Sequence, residues 1–202
     1  MKKIYFAILI ALTITGIGLA ANAAVITFDD LSATGAGTQI SNGYKGFNWN
    51  NMYFFDPSLY NPSGYQNGTV SGPNVAFNGF GDPADIAASS STTFDFNGAY
   101  LTAAWMDGLN IEVKGYNGAN LLYDTTVVVD STSPTWEQFN YFGITSLNFS
   151  SFGGTAHGYE SFGEQFAMDN FTYNSSVPEP SMFLLFGCGM IGLVTMWRLR
   201  KT

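Results

Sequence analysis

Between residues 24 and 176 the chain consists of short runs in which apolar and polar residues alternate, and Gly, Asn, Asp and Pro separate these runs. Alternation with a period of two buries one face of a strand and leaves the other in water. Asn117 and Gly118, between two runs, predict a hairpin because both turn positions favour positive φ. The candidate strands are VITF, GFNWNNMYFF, NVAFN, TTFDFNGAYLTAAWM, NIEVKGY, NLLYDTTVVVD, FNYFGITSLNFSSF and FAMDNFTY.

The hydrophobic pattern shows no helical period between Asp29 and Tyr173. Residues 24–176 are therefore predicted to form one all-β domain. About eight strands in a domain of this length are typical of two packed sheets, as in a jelly-roll or another β-sandwich.

The N-terminal end has a different pattern. Lys2 and Lys3 precede an apolar run from Ile4 to Leu19, and Ala21-Asn22-Ala23 has the small residues that a signal peptidase accepts. Residues 1–23 are predicted to be a signal peptide, and the cleavage pattern favours this interpretation over a retained membrane anchor.

A second apolar segment, Ser181–Trp197, has no charged residue. Its length is at the short limit for crossing a hydrocarbon core of about 30 Å, and a buried core helix is the other interpretation. Two prolines before the segment and a basic cluster after it favour a single transmembrane helix with its basic end in the cytoplasm. The flanking basic residues are Arg198, Arg200 and Lys201.

Pro178, Glu179 and Pro180, followed by one short span and a basic tail, resemble the bacterial PEP-CTERM sorting signal over residues 177–202. The resemblance implies that these three residues are recognised by an exosortase, a membrane-embedded cysteine transpeptidase that processes the tail. It also implies export across the inner membrane and membrane anchoring before processing. The expected final location is the cell surface or the extracellular space.

The domain between the two ends carries a second resemblance. It rests on ITFDDL, NGYKGFNW, PSGY, SGPNVAFN, FDFNGAYLTAAW, VKGYNGANLLYD and FAMDNFTY. This succession resembles an extracellular β domain often attached to PEP-CTERM signals, which is similar in pattern to the galactose-binding-like sandwiches among carbohydrate-binding modules. The resemblance implies a fold and transfers no activity.

The charge of the exported domain limits its partners. The chain has a formal net charge of −8, and all but one of its 15 acidic residues lie between the two ends, where Lys45 and Lys114 are the only basic residues. This balance excludes nucleic acid, which requires basic residues, and is compatible with calcium or a neutral glycan. The single cysteine, Cys188, lies in the C-terminal apolar segment, so the domain has no disulfide.

Three aspartates predict a structural Ca²⁺ site. Asp29 and Asp30 end the opening strand, and Asp169 lies on the closing strand. By resemblance to lectin-like sandwiches, we expect these strands to be adjacent and a calcium ion to relieve the repulsion between their carboxylates. In the other interpretation the aspartates are solvated turn residues.

Aromatic residues cluster in MYFFDPSLYNPSGYQNG, which is interpreted as a loop broken by two prolines. Aromatic faces stack on sugar rings, and this chemistry predicts a glycan contact through Tyr53, Tyr60 and Tyr65. In the alternative interpretation, the loop packs its aromatic rings on its own sheet. Trp49 and Trp105 are interpreted as core residues, whereas Trp136 is a further candidate for the platform.

Catalysis has little support in the sequence. His157 is the only histidine, and no G-x-S-x-G motif is present. We therefore predict a non-catalytic binding module for exopolysaccharide, sorted by an exosortase and transiently bound to the membrane. A self-associating surface or biofilm matrix protein is the alternative, and a polysaccharide hydrolase using paired carboxylates is a more remote one.

Overall fold

The structure is a computed structural model that describes residues 23–90 and 92–175. The predicted signal peptide, except its last residue Ala23, lies outside the described residues. So do the Pro178-Glu179-Pro180 motif, the apolar segment and its flanking basic residues. Within the described ranges, no helix is long and apolar enough to cross a membrane.

The described chain forms fourteen strands and a few short helical turns. The helical elements are α1 (Gly64–Asn67) and three 3₁₀ turns at Tyr44–Gly46, Pro57–Leu59 and Gly79–Gly81. The strands are β1 (Ala24–Ile26), β2 (Thr38–Gln39), β3 (Phe47–Asn50), β4 (Met52–Phe55), β5 (Val75–Asn78), β6 (Ala84–Ala88), β7 (Phe94–Ala103), β8 (Met106–Asp107), β9 (Leu109–Asn117), β10 (Asn120–Val129), β11 (Thr135–Ile144), β12 (Ser146–Phe152), β13 (Thr155–Ala156) and β14 (Phe166–Ser175).

These strands make two large antiparallel sheets. Six strands of the seven-stranded sheet follow the order β11-β7-β14-β5-β4-β2. The remaining strand, β1, lies off this path and pairs with β14. The five-stranded sheet has the order β10-β9-β12-β6-β3, and β13 pairs with β8 separately. The first and last strands are adjacent, as predicted, with Ile26 opposite Phe171.

The main core lies between the two sheets and is rich in aromatic rings. Phe47 of the five-stranded sheet meets Phe171 of the other sheet with ring centroids 5.7 Å apart. Phe96 and Phe149 meet across the same space at 6.2 Å. Edge-to-face contacts of this kind add stability to the burial of apolar area. The predicted all-β sandwich is confirmed.

Two predicted strands each divide between the sheets. The run GFNWNNMYFF is broken at Asn51, which has a φ of 55°, so β3 joins the five-stranded sheet and β4 the other. The run FNYFGITSLNFSSF divides in the same way into β11 and β12. Both halves of each run bury one face in the same core, and at the change of sheet the spacing of the buried residues lengthens from two to three, as from Trp49 to Met52.

The hairpin predicted at Asn117 and Gly118 is present, with its turn one residue later. Asn117 pairs with Asn120, which leaves Gly118 and Ala119 as the turn residues. Gly118 has the positive φ, 58°. The side chain of Asn117 instead donates a hydrogen bond to the carbonyl of Gly143.

The seven-stranded sheet also buries part of its outer face. A second core there consists of Phe55, Tyr65, Val75, Ala104, Trp105 and Ala167. The segment from Pro57 to Asn67 covers it, and Gly64 approaches the end of β7 so closely that an added Cβ would collide with the Ala103 carbonyl. The prediction that Tyr53, Phe54 and Phe55 lie in a loop was wrong, since all three lie on β4.

Candidate functional site: an aromatic cleft

A cleft of about 300 Å³ opens beside the second core, on the outer side of the seven-stranded sheet. Apolar and aromatic side chains form most of its lining, and polar groups are few, as is typical of small-molecule sites. The lining residues are Ala36, Gly37, Tyr53, Phe55, Tyr60, Tyr65, Phe77, Gly79, Phe80, Trp105, Ser161 and Gln165.

The rings in the inner part of the cleft pack closely on one another. Tyr65 is only 4 % exposed, and its ring lies 5.0 Å from that of Phe55 and 5.4 Å from that of Trp105. Burial raises the pKa of the Tyr65 hydroxyl. Ser63 caps the helix that carries Tyr65, since its Oγ accepts a hydrogen bond from the Gln66 amide.

The rim of the cleft presents two aromatic side chains to solvent. Tyr60 is 37 % exposed and Phe80 is 83 % exposed. Phe80 has a φ of 60°, a conformation that is unfavourable for a bulky side chain. The Asn51 side chain holds this turn by donating to the carbonyls of Gly79, Asp82 and Pro83 at 3.1–3.2 Å.

The cleft also contains polar groups. Gln165 and Ser161 contribute to its lining. The Oε1 atom of Gln165 is buried and accepts no hydrogen bond from the part of the chain that the structure describes. A buried acceptor without a donor is costly.

The structure gives two of the predicted calcium ligands partners of their own. Asp29 accepts a hydrogen bond from the Asn74 amide at 3.1 Å. Asp30 lies 2.6 Å from Lys45 Nζ and accepts a 2.6 Å hydrogen bond from the Tyr44 hydroxyl. These two partners hold the pKa of Asp30 below its ordinary value.

Asp169 is fully buried in a different environment. Its carboxylate accepts hydrogen bonds from the amides of Val70, Ser71 and Asn170 at 2.7–2.8 Å, and from the Ser71 hydroxyl at 3.0 Å. Burial raises the pKa of Asp169, and these backbone donors oppose the rise. Over residues 23–90 and 92–175 no three His, Cys, Asp or Glu side chains form a group suited to a metal ion, so the structure does not bring the three predicted ligands together and the calcium site stays a prediction.

The only histidine takes part in a structural network. His157 Nδ1 lies 2.6 Å from Asp107 Oδ2, and the Ser131 hydroxyl donates to Asp107 Oδ1 at 2.7 Å. The serine therefore contacts the carboxylate and is fully buried. A nucleophilic serine needs contact with the histidine, and this geometry does not supply it.

The structure brings the three predicted ligand residues, Tyr53, Tyr60 and Tyr65, around one cleft, although their role in binding stays a prediction. The sequence analysis did not identify Phe80. The sequence feature that could have indicated an exposed ring there is a phenylalanine between two glycines, Gly79 and Gly81. Trp105 was predicted to be a core residue, and it is buried but also lines the cleft. Trp136 lies on β11 against Tyr100 and is not part of the lining.

Comparisons with solved structures find weak likenesses. The structure of TmCBM61 in complex with β-1,4-galactotriose has a TM-score of 0.43 and 9% identity, and the match covers 67% of this chain and 94% of that chain. The arabinose-bound MgGH51 α-L-arabinofuranosidase has a TM-score of 0.39 and 14% identity, over 79% of this chain and 27% of that chain. No curated protein matches the sequence.

One family model matches the C-terminal end. Residues 176–201 match the PEP-CTERM protein-sorting motif, as the Pro178-Glu179-Pro180 pattern predicted. The motif implies export, anchoring of the C-terminal end in the membrane, and processing by an exosortase.

Proposed function

We propose that the exported domain is a non-catalytic glycan-binding module and that the aromatic cleft is its binding site. The observation that carries this proposal is Phe80. A phenylalanine that is 83 % exposed gains almost no stability from burial of its ring, and its left-handed backbone costs stability through the strained φ. Such a cost is typical of a binding residue that is covered when its ligand is present.

The chemistry of the cleft suits a sugar. A sugar ring has apolar C–H faces that stack on aromatic rings, and Phe80, Tyr60 and Tyr53 line the cleft with such rings. Its hydroxyl groups need partners at the edge of the ring, which the Gln165 amide and the Ser161 hydroxyl supply. The cleft contains groups suited to binding. Elsewhere in the described residues, the Ser131 hydroxyl contacts Asp107 and not His157, so it is not paired with a histidine base.

A glycan array probed with the purified exported protein tests this function. We expect retention on a limited set of polysaccharides, with no release of new reducing ends during prolonged incubation. Release of reducing ends would contradict the non-catalytic assignment, and an array without any binder would contradict the glycan-binding function.

The alternative function, self-association in a surface or matrix layer, is favoured by a different observation. Strand β10 is an edge strand of the five-stranded sheet, and Leu121, Leu122 and Val128 on it are about half exposed. Long apolar edge strands pair readily with other strands. This surface does not include the cleft residues.

Light scattering over a range of protein concentrations distinguishes the two functions. For a glycan-binding module we expect one mass at all concentrations, and a Leu122→Lys variant with the same mass. A mass that rises with concentration for the natural sequence and stays constant for Leu122→Lys would favour the self-associating protein.

A further inference from the structure

A second cavity of about 280 Å³ lies next to the aromatic cleft. The two cavities share Tyr60, Trp105 and Ser161 in their linings. Because these three residues belong to both linings, the cavities adjoin, and we call the pair the groove. The two volumes lie at and just below the low end of the range of about 300–1,000 Å³ that ligand sites occupy, so the two cavities together suit a ligand longer than one small ring.

The two halves of the groove differ in chemistry. The aromatic cleft offers faces for stacking, whereas the second cavity is lined by Leu59, Asn61, Pro62 and Glu160 in addition to the shared residues. The amide of Asn61 and the carboxylate of Glu160 offer hydrogen bonds to hydroxyl groups. One ring stacked in the aromatic cleft thus leaves the next ring of a chain beside polar side chains.

The groove lacks a positive charge. Neither cavity lining contains a lysine or arginine. The two lysines of the described residues are both paired with carboxylates elsewhere, Lys45 with Asp30 and Lys114 with Glu112, each at 2.6 Å. A sugar carboxylate in the groove would have no cation to pair with, and in the second cavity it would meet the like charge of Glu160.

Resting on the glycan-binding function, we propose that this groove holds two adjoining rings of a neutral glycan chain and discriminates against chains of uronic acids. The aromatic cleft stacks one ring. The second cavity binds the hydroxyl groups of the next ring, and Glu160 provides the discrimination. The ligand class is therefore a neutral polysaccharide or oligosaccharide of two or more rings.

Titration of the exported protein with matched probes tests this inference. The probes are neutral oligosaccharides of one, two and four rings from the polysaccharide retained on the array, and a four-ring uronic acid that differs from the neutral form only at C6. We expect the two-ring probe to bind at least tenfold more tightly than the monosaccharide, and the uronic acid to bind at least tenfold more weakly than its neutral counterpart. In a Glu160→Gln variant we expect the difference between the neutral and uronic probes to shrink severalfold.

The control variant is Glu137→Gln, which removes one carboxylate on β11, outside both linings, and should leave the discrimination unchanged. Equal affinity for one and two rings, tighter binding of the uronic acid, or the same discrimination in Glu160→Gln would overturn the inference while leaving the glycan-binding function intact. No binding of any sugar would overturn the glycan-binding function itself.

Discussion

At the scale of single residues, Asp169 joins two parts of the described domain that are far apart in the sequence. Its carboxylate is fully buried on β14, and it ties that strand to the segment at Val70 and Ser71 through backbone and side-chain donors. Both carboxylate oxygens accept hydrogen bonds, and no cation is required to satisfy them. The sequence marks the residue as acidic but cannot show that its partners lie about a hundred residues earlier in the chain.

We predict that Asp169→Ala destabilises the domain by about 3 kcal/mol or more, because it leaves several buried N–H groups without an acceptor at about 1–3 kcal/mol each. Asp169→Asn, which keeps one acceptor oxygen, should cost less. Denaturant unfolding in EDTA and in millimolar calcium measures both costs. If the protein donors alone satisfy Asp169, the midpoint of the natural sequence and the cost of Asp169→Ala will be the same in both buffers. A midpoint that rises in calcium, and rises less in Asp169→Ala, would support the calcium site predicted from the sequence.

Tyr65 makes the stability depend on pH in the alkaline range. Burial raises its pKa in the folded state, whereas an unfolded tyrosine ionises near pH 10. Above pH 10 the folded state therefore retains a proton that the unfolded state loses. The contribution of Tyr65 to the free energy of unfolding is complete below pH 10 and falls as the pH rises above it.

We predict that from about pH 10 to 12 the natural protein loses about 1.4 kcal/mol more stability per pH unit than Tyr65→Phe, which has no hydroxyl proton to lose. Urea unfolding at several pH values measures the two slopes. Parallel slopes would show that Tyr65 ionises equally in both states and is not buried as described.

At the scale of elements, Asn51 connects the fold to the site. It lies where the chain leaves β3 for β4, and so passes from one sheet to the other. Its side chain also holds the turn that carries Phe80, through the carbonyls of Gly79, Asp82 and Pro83. The residue that divides the predicted strand therefore also positions the rim of the cleft.

We predict that Asn51→Ala weakens glycan binding severalfold, although Asn51 is not among the cleft residues, because the Phe80 turn loses three hydrogen bonds. Calorimetric titration should show the loss chiefly as a less favourable entropy, since the ring must be ordered on binding. Asn110→Ala is the control, because Asn110 also donates from its side chain to a carbonyl, that of Phe152, away from the cleft. Unchanged affinity in Asn51→Ala would show that the turn is held by other contacts.

The sequence predicts individual elements better than their assembly. Alternation around Asp95 correctly predicts that Phe94 and Phe96 are buried, because the period of a strand is a local property. It does not reveal the covered outer face of the seven-stranded sheet. There Phe55 is buried and Phe77 partly buried, beneath a segment that the pattern predicts to be a loop. The proximity of Phe80 and Gln165 to the three tyrosines depends on chain pairing, which no local pattern contains.

For the whole molecule, the sorting signal decides where the cleft acts. We predict that cells with an exosortase yield an exported protein without residues 1–23 and with a processed tail. Replacing Pro178-Glu179-Pro180 by alanines, or deleting the exosortase, should leave an unprocessed protein in the membrane fraction. Intact-mass spectrometry of each cell fraction measures this. A cytosolic location, or a mature species that retains Met1 to Ala23, would contradict the account.

Binding by cleft-rim variants tests the central claim, that the aromatic cleft binds a glycan, most directly. Phe80→Ala removes an exposed ring, whereas Tyr60→Ala removes a rim ring that also packs on Phe55 and Trp105, so a thermal melt must first show that each variant is folded. Each lost stacking contact of about 0.5–1.5 kcal/mol should weaken binding about two- to tenfold. Phe162→Ala is the matched control, since Phe162 is 81 % exposed and is not part of the lining. We predict weaker binding in both rim variants and unchanged binding in the control. Equal affinity in all four proteins would show that the glycan does not bind in the cleft.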